Sequence, residues 1–117
     1  MIFREAFSHQ LKFCCDICVG QFISHPQTMW GSTGWECISV GVPCMLSVNF
    51  TEYQFHKLFG YSLPPAMFNT HSADDVTNSM LKCFSDREIE KSKATKNIEW
   101  FESNNGISLA EKWLTYL

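Results

Sequence analysis

The sequence predicts an α/β protein with a short parallel sheet of about three strands, helices on both faces in a three-layer, Rossmann-like arrangement, and a helical C-terminal tail. Two observations support this fold class. Short apolar segments bounded by glycine, proline or asparagine alternate with longer segments of helical periodicity. The apolar segments contain few polar positions, as expected of parallel strands that are covered on both faces.

The first half of the chain reads as helix, strand, loop, helix and strand. Helical periodicity covers about residues 4–14, and an apolar strand follows at 17–22. After a polar loop, a helix is predicted to open near Thr33 and to run to about residue 40. Gly41 suits the left-handed residue that ends a helix, and Pro43 prevents continuation.

The second half contains two more short strands and then helices alone. The apolar run 44–48 predicts a second strand, and the break at the two prolines after residue 63 precedes a brief third strand. Helical periodicity predicts the remaining elements, which are a short helix at 52–59 and longer helices at 73–84, 86–102 and 109–117.

Composition excludes several classes of protein. The length of 117 residues predicts one domain, 1–117. The formal net charge of -3 gives no sign of the basic surface that binds nucleic acid. No apolar run has the length of a transmembrane segment, and the start of the chain does not read as a secretory leader. We therefore predict a cytoplasmic location, with peripheral membrane association left open.

The six cysteines include one pair with the two-residue spacing of zinc and redox motifs, Cys15 and Cys18. If residues 16–21 form a strand, residues three apart point to opposite faces, and these two thiols cannot converge on one ion. No second such pair completes a ligand set, so no metal site is predicted. Cys37, Cys44 and Cys83 lie in apolar segments and read as buried, reduced thiols.

The loop and helix start after the first strand form the predicted ligand site. Ligands of open α/β sheets bind beyond the carboxyl ends of the strands, where a helix start offers unpaired N–H groups and the positive end of its dipole. The pattern predicts a site for an anion, and specifically for a diphosphate, at residues 31–34. The competing interpretation is structural, because Thr33 and Glu36 have the spacing of a helix capping box. The same spacing recurs at 72–75, 85–88 and 108–111.

Three parallel strands make a sheet that is too narrow to stand alone when both of its faces must be covered. The sequence therefore predicts that either a partner, such as a second copy of the chain, supplies more sheet, or the chain is the C-terminal part of a larger protein.

Several motifs together resemble one enzyme family. They are the segment 16–48 with Gly31, Glu36 and Gly41-Val42-Pro43, then Leu63-Pro64-Pro65, "SADDV" at 72–76, "FSDRE" at 84–88 and the final helix. In this order they resemble the nucleotide-sugar-binding C-terminal domain of group 1 glycosyltransferases, which are family-four enzymes of the two-domain GT-B fold. The resemblance covers nearly the whole chain from about Phe7 and implies a partial GT-B C-terminal domain.

The resemblance implies roles for individual residues. Glu36 matches the second of the family's two glutamates, which hydrogen-bonds the ribose of the nucleotide. Gly31, Ser32 and Thr33 match the backbone stretch that holds the diphosphate. Thr28 stands where the family has its first glutamate, which engages the donor sugar. Trp30 stands at a position where the family usually has an aromatic residue. We interpret Trp30, like Trp35, as a packing residue.

The function implied by the resemblance is that of a retaining glycosyltransferase, with the chain as its donor-binding half. The donor substrate would be a nucleotide-diphosphate sugar, without cofactor or metal, and the partner would be an N-terminal acceptor domain. Two alternatives stay open: a non-catalytic nucleotide-binding or interaction module, and a GT-B-like nucleotide-sugar epimerase. No residue is assigned a catalytic role; His25 is the one acid/base candidate in the ligand loop.

Overall fold

The structure, a computed structural model, describes Leu11, residues 14–20, Phe22 and residues 31–116. In this part of the chain three strands and six helices follow one another in the order β1 (Cys18–Val19), α1 (Ser32–Val40), β2 (Cys44–Leu46), α2 (Glu52–Phe59), β3 (Phe68–Asn69), α3 (Ala73–Ser85), α4 (Arg87–Ala94), α5 (Lys96–Asn104) and α6 (Gly106–Leu114). The predicted first helix, 4–14, lies mostly outside the described residues. The predicted α/β class with a short parallel sheet is confirmed.

The strands form one parallel sheet in the order β1-β2-β3, so β2 is central. Cys18 lies opposite Cys44 and Met45 lies opposite Phe68. All three residues of β2 are buried, as the apolar run predicted. Each β-α-β step of this sheet needs a crossover connection, which α1 and α2 supply in turn.

The strands are shorter than predicted, with two residues in β1, three in β2 and two in β3. Beyond β2, a side chain replaces the backbone of the neighbouring strand. The Val48 N–H donates to Oδ1 of Asn69 over 3.0 Å, and Nδ2 of Asn69 donates to the Val48 carbonyl over 3.1 Å. The Asn69 side chain therefore satisfies both backbone groups of Val48, and the backbone ladder between β2 and β3 ends before Val48.

Helix α1 packs between the sheet and α5. Its residues Cys37 and Ile38 are fully buried in the core, which also contains β2, Phe55 and Trp100. Trp35 on α1 stacks on Trp100 of α5, with ring centroids 5.9 Å apart. The apolar spacing of three and four residues along α1 explains why one stripe of this helix faces the core.

Gly41 ends α1 as predicted, in the left-handed conformation with φ 69°. The N–H of Val42 donates to the Cys37 carbonyl over 3.1 Å, and that of Gly41 to the Ile38 carbonyl over 3.3 Å, which is the Schellman pattern. A Cβ at Gly41 would also lie 2.9 Å from Cδ1 of Ile98 on α5. This glycine is therefore required both by its conformation and by close helix packing.

We expect Gly41→Ala to lower the free energy of unfolding by about 2–3 kcal/mol, because left-handed strain and overpacking add. Gly60 is the matched control: it ends α2 with φ 77° but has nothing within 4 Å of an added Cβ. Gly60→Ala should lower the free energy of unfolding by about 1 kcal/mol, which is the strain of a left-handed alanine alone. Equal losses in urea denaturation would show that the approach of α5 to Gly41 contributes nothing.

Several predicted helix boundaries are wrong. The predicted helix 86–102 is two helices, α4 and α5, because the chain tightens at Thr95: the Ile98 N–H donates to the Thr95 carbonyl, and the Thr95 hydroxyl donates to the Ser92 carbonyl over 2.6 Å. Capping boxes do not form at Ser85 or Ser108, since the first ends α3 and the second lies inside α6.

Candidate functional site

The start of α1 is the predicted anion site. A helix that connects two parallel strands begins at the edge where the first strand ends, so this start lies at the carboxyl edge of the sheet. Gly31 is the N-cap, with φ -78° and ψ -169°, and its carbonyl accepts from the N–H of Gly34 over 3.0 Å and from that of Trp35 over 3.3 Å. Within the described residues, the N–H groups of Ser32 and Thr33 have no acceptor.

The capping-box interpretation of Thr33 and Glu36 is wrong. Helix α1 begins at Ser32, so Thr33 lies in the first turn instead of at the N-cap, and no side chain of the described residues caps this helix start. Glu36 is half-buried, and its backbone carbonyl accepts from the Ser39 hydroxyl over 2.8 Å. Gly31, Ser32 and Thr33 thus lie at the start of α1, and Glu36 lies one turn further along the same helix.

Two other helix starts are closed by their own side chains. A capping box forms at Ser72 and Asp75, as predicted, and another forms at Thr51 and Gln54 before α2. The box at Thr51 was not predicted, because its last position is a glutamine and the predicted boxes all end in an acidic residue. Glutamine closes such a box as well as glutamate does. An anion therefore finds open N–H donors at α1 that it does not find at α2 or α3.

Other residues of the predicted site fall into two groups. Thr28, His25 and Trp30 lie outside the described residues, so the donor-sugar position and the acid/base candidate stay predictions. Trp35 is a packing residue, as predicted, since it stacks on α5. Glu52, the first residue of α2 and not one of the predicted site residues, has a structural contact: its Oε1 accepts from the Leu63 N–H over 3.1 Å.

Two polar side chains outside the predicted site meet at the carboxyl ends of β2 and β3. The Ser47 hydroxyl and Nδ1 of His71 are 3.2 Å apart. Ser47 is buried, and His71 is exposed. The signal that could have found this pair is positional, because each residue follows closely after a short apolar strand, where ligand-binding residues of open α/β sheets lie.

Asp75 fixes a negative charge beside His71. Its Oδ2 accepts from the backbone N–H of His71 over 2.9 Å and from that of Ser72 over 3.0 Å. The hydrogen bond from the His71 N–H is the main cause that holds the pKa of the Asp75 carboxyl below its usual value, and the Ser72 hydroxyl contributes next. This carboxylate is therefore ionised at neutral pH, and an anionic ligand is directed toward α1 instead of α3.

A cavity of about 440 Å³ lies at the opposite, amino edge of the sheet, beside Pro43 and Phe68. On its wall Oε1 of the buried Glu90 contacts Nζ of Lys93 at 2.9 Å and Nζ of Lys82 at 3.8 Å. Because β2 and β3 begin at this edge, the cavity is separate from the start of α1.

The argument that Cys15 and Cys18 point to opposite faces of one strand does not hold. Strand β1 begins at Cys18, so Cys15 precedes the pleat and the alternation of faces does not apply to it. Sγ of Cys15 donates to the Leu11 carbonyl over 3.2 Å. Cys37, Cys44 and Cys83 are buried free thiols, as predicted.

Among the described residues, no cluster of three or more histidine, cysteine or acidic side chains has the geometry of a metal site. In the same part of the chain, no helix is long and apolar enough to cross a membrane. Comparison of the sequence and structure with protein-family models, curated proteins and solved structures gives no significant match. Function must therefore be argued from the site itself.

Proposed function

We propose that this chain is the donor-binding half of a retaining glycosyltransferase, which binds a nucleotide-diphosphate sugar at the start of α1. The observation that carries the proposal is the open helix start after β1, where the N–H groups of Ser32 and Thr33 have no acceptor among the described residues. A diphosphate supplies the acceptor oxygens and the negative charge that such a helix start favours.

In this proposal Glu36 binds the ribose hydroxyls of the nucleotide. It lies one turn beyond the open N–H groups on the same helix, and a carboxylate accepts hydrogen bonds from two adjacent hydroxyls. Its half-buried position limits competition from water.

Sugar transfer would follow from placement and charge stabilisation. Bound diphosphate is the leaving group, and the N–H groups of α1 would stabilise the charge that develops on it as the sugar departs. An acceptor-binding domain, in the same protein or in a partner, would hold the acceptor hydroxyl against the donor. No side chain of the described residues is given a catalytic role in this proposal.

We expect weak binding of UDP, GDP or ADP by the chain alone, with a Kd of about 0.1–1 mM for the best of them. The helix dipole contributes only about 0.3–1 kcal/mol for an anion at its start, so the affinity rests on few hydrogen bonds. Titration followed by amide chemical shifts measures this range and shows where the ligand binds. The largest shifts should fall at Ser32 and Thr33.

Ser32→Pro tests the helix start without breaking it. Proline is favoured at the first helical position and removes only an N–H that has no intrahelical acceptor, and the extended Gly31 before it is compatible with proline. We expect unchanged stability and about tenfold weaker binding, since a hydrogen bond to a charged group contributes about 1.5 kcal/mol. Ser32→Ala keeps the N–H and is the control, with affinity close to that of the wild type.

Glu36→Ala should weaken nucleotide binding, whereas Glu102→Ala, at an exposed helical glutamate of α5, should not. Deoxyribose nucleotides would show a smaller effect of Glu36→Ala if the carboxylate engages the ribose hydroxyls. If Ser32→Pro and Ser32→Ala bind equally, or if the shifts map to another surface, the helix start is not the nucleotide site.

A further inference from the structure

Three lysines from three successive helices line the cavity at the amino edge of the sheet. They are Lys82 of α3, Lys93 of α4 and Lys96 of α5, and the cavity has a volume of about 440 Å³. Small-molecule pockets in proteins usually measure about 300–1,000 Å³, so this cavity has room for a small ligand. All three lysines are exposed, so a dissolved ligand can reach them.

The apolar part of the lining comes from the starts of two strands. Pro43 precedes β2, Met67 precedes β3, and Phe68 is the first residue of β3. Met67 and Phe68 are half-buried, so part of their apolar surface stays open to a ligand. A ligand that fits this cavity therefore has an apolar part beside its charged group.

One buried carboxylate also lines the cavity. Glu90 is 6% exposed, and its Oε1 lies 2.9 Å from Nζ of Lys93 and 3.8 Å from Nζ of Lys82. Among the described residues, Lys96 has no ion pair. The lining thus carries three positive charges and one negative charge, which leaves an excess of two positive charges. A buried carboxylate alone does not require so many cations.

We propose that this cavity binds a small organic phosphate monoester. Such a group carries a charge of about -1.5 to -2 at neutral pH, which matches the excess charge of the lining. Lysine ammonium groups bind phosphate oxygens as point charges. The organic part of the ligand lies against Pro43, Met67 and Phe68, where burial of apolar surface favours binding.

Glu90 has two opposing effects on this site. Its carboxylate holds Lys93 and Lys82 beside the cavity, and it competes with the ligand for their charges. Glu90→Gln keeps the size of the side chain and removes the competing charge. This substitution should therefore strengthen phosphate binding, whereas lysines that serve only to neutralise Glu90 would give no such gain.

Titration of the full chain with phenyl phosphate, followed by amide chemical shifts, tests the proposal. We expect a Kd of about 1 mM, with the largest shifts at Met67, Phe68 and Lys93. Inorganic phosphate lacks the ring and should bind about tenfold more weakly. Equal affinities for the two compounds would overturn the proposal, because the apolar lining would then contribute nothing.

The start of α1 is also proposed to bind phosphate groups, so the two sites must be separated. Ser32→Pro alters that helix start and should leave the affinity for phenyl phosphate unchanged. Shifts confined to Ser32 and Thr33 would overturn the cavity site without affecting the proposed nucleotide site. Conversely, loss of nucleotide binding at α1 would leave the cavity site intact, because the two lie at opposite edges of the sheet.

Two substitutions in the cavity should have opposite effects. Lys96→Gln should weaken phenyl phosphate binding about threefold to fivefold, and Glu90→Gln should strengthen it by a similar factor. Lys57→Gln, at an exposed lysine of α2 outside the cavity, is the control and should bind as the wild type does. Unchanged affinity in Lys96→Gln, or weaker binding in folded Glu90→Gln, would overturn the proposal. If Glu90→Gln does not fold, Lys96→Gln decides, since Lys96 is exposed and its loss leaves no partner unpaired among the described residues.

Discussion

Trp100→Ala is expected to lower the free energy of unfolding by about 3–5 kcal/mol, the usual cost of truncating a large buried aromatic residue. Trp100 is 8% exposed and stacks on Trp35 of α1 with centroids 5.9 Å apart. Its Nε1 donates to the Ser62 carbonyl over 2.8 Å. The substitution therefore removes packing between α5 and α1 and leaves the Ser62 carbonyl without its donor.

Trp113→Ala is the matched control, because Trp113 is 68% exposed and should change stability by no more than about 0.5 kcal/mol. Trp100→Phe retains much of the ring and loses the N–H, so its smaller cost isolates the hydrogen bond to Ser62. Urea denaturation followed by circular dichroism avoids the altered fluorescence. Similar losses for Trp100→Ala and Trp113→Ala would contradict the packing of α5 on α1.

The parts of the fold that could be predicted are those with local signals. Helix α2 has the predicted bounds, and α1 and α3 begin or end within one residue of the prediction, because glycines and caps mark their ends. Strand lengths could not be predicted. The ladder between β2 and β3 ends where the Asn69 side chain pairs with Val48, and this contact joins residues far apart in sequence.

The same limit applies to the candidate sites. The open start of α1 follows from neighbouring residues and was predicted to within one position. The contact between Ser47 and His71 depends on how β2 and β3 align, which a single sequence does not reveal. The argument about Cys15 and Cys18 assumed a strand from residue 16, whereas β1 begins at Cys18, so the alternation of faces does not extend to Cys15.

Asn97 is an unusual residue for its position, a fully buried amide in the first turn of α5. It contacts the segment just before β3, where its Oδ1 accepts from the Ala66 N–H over 3.0 Å and its Nδ2 donates to the Ala66 carbonyl. One side chain thus satisfies both backbone groups of a residue that has no strand partner. Ala66 is half-buried, so leaving its backbone groups unpaired carries a cost.

Asn97→Leu should therefore lower the free energy of unfolding by about 1–3 kcal/mol, since it leaves the N–H and C=O of the half-buried Ala66 without their partners. Leucine is similar in size, so little of this loss comes from a cavity. Asn78→Leu, on an exposed position of α3, controls for the change in chemistry and should stay within about 0.5 kcal/mol of wild type. Hydrogen exchange at the Ala66 amide should also accelerate in Asn97→Leu. If that amide stays protected and stability is unchanged, Ala66 has another partner and α5 does not anchor the entry to β3.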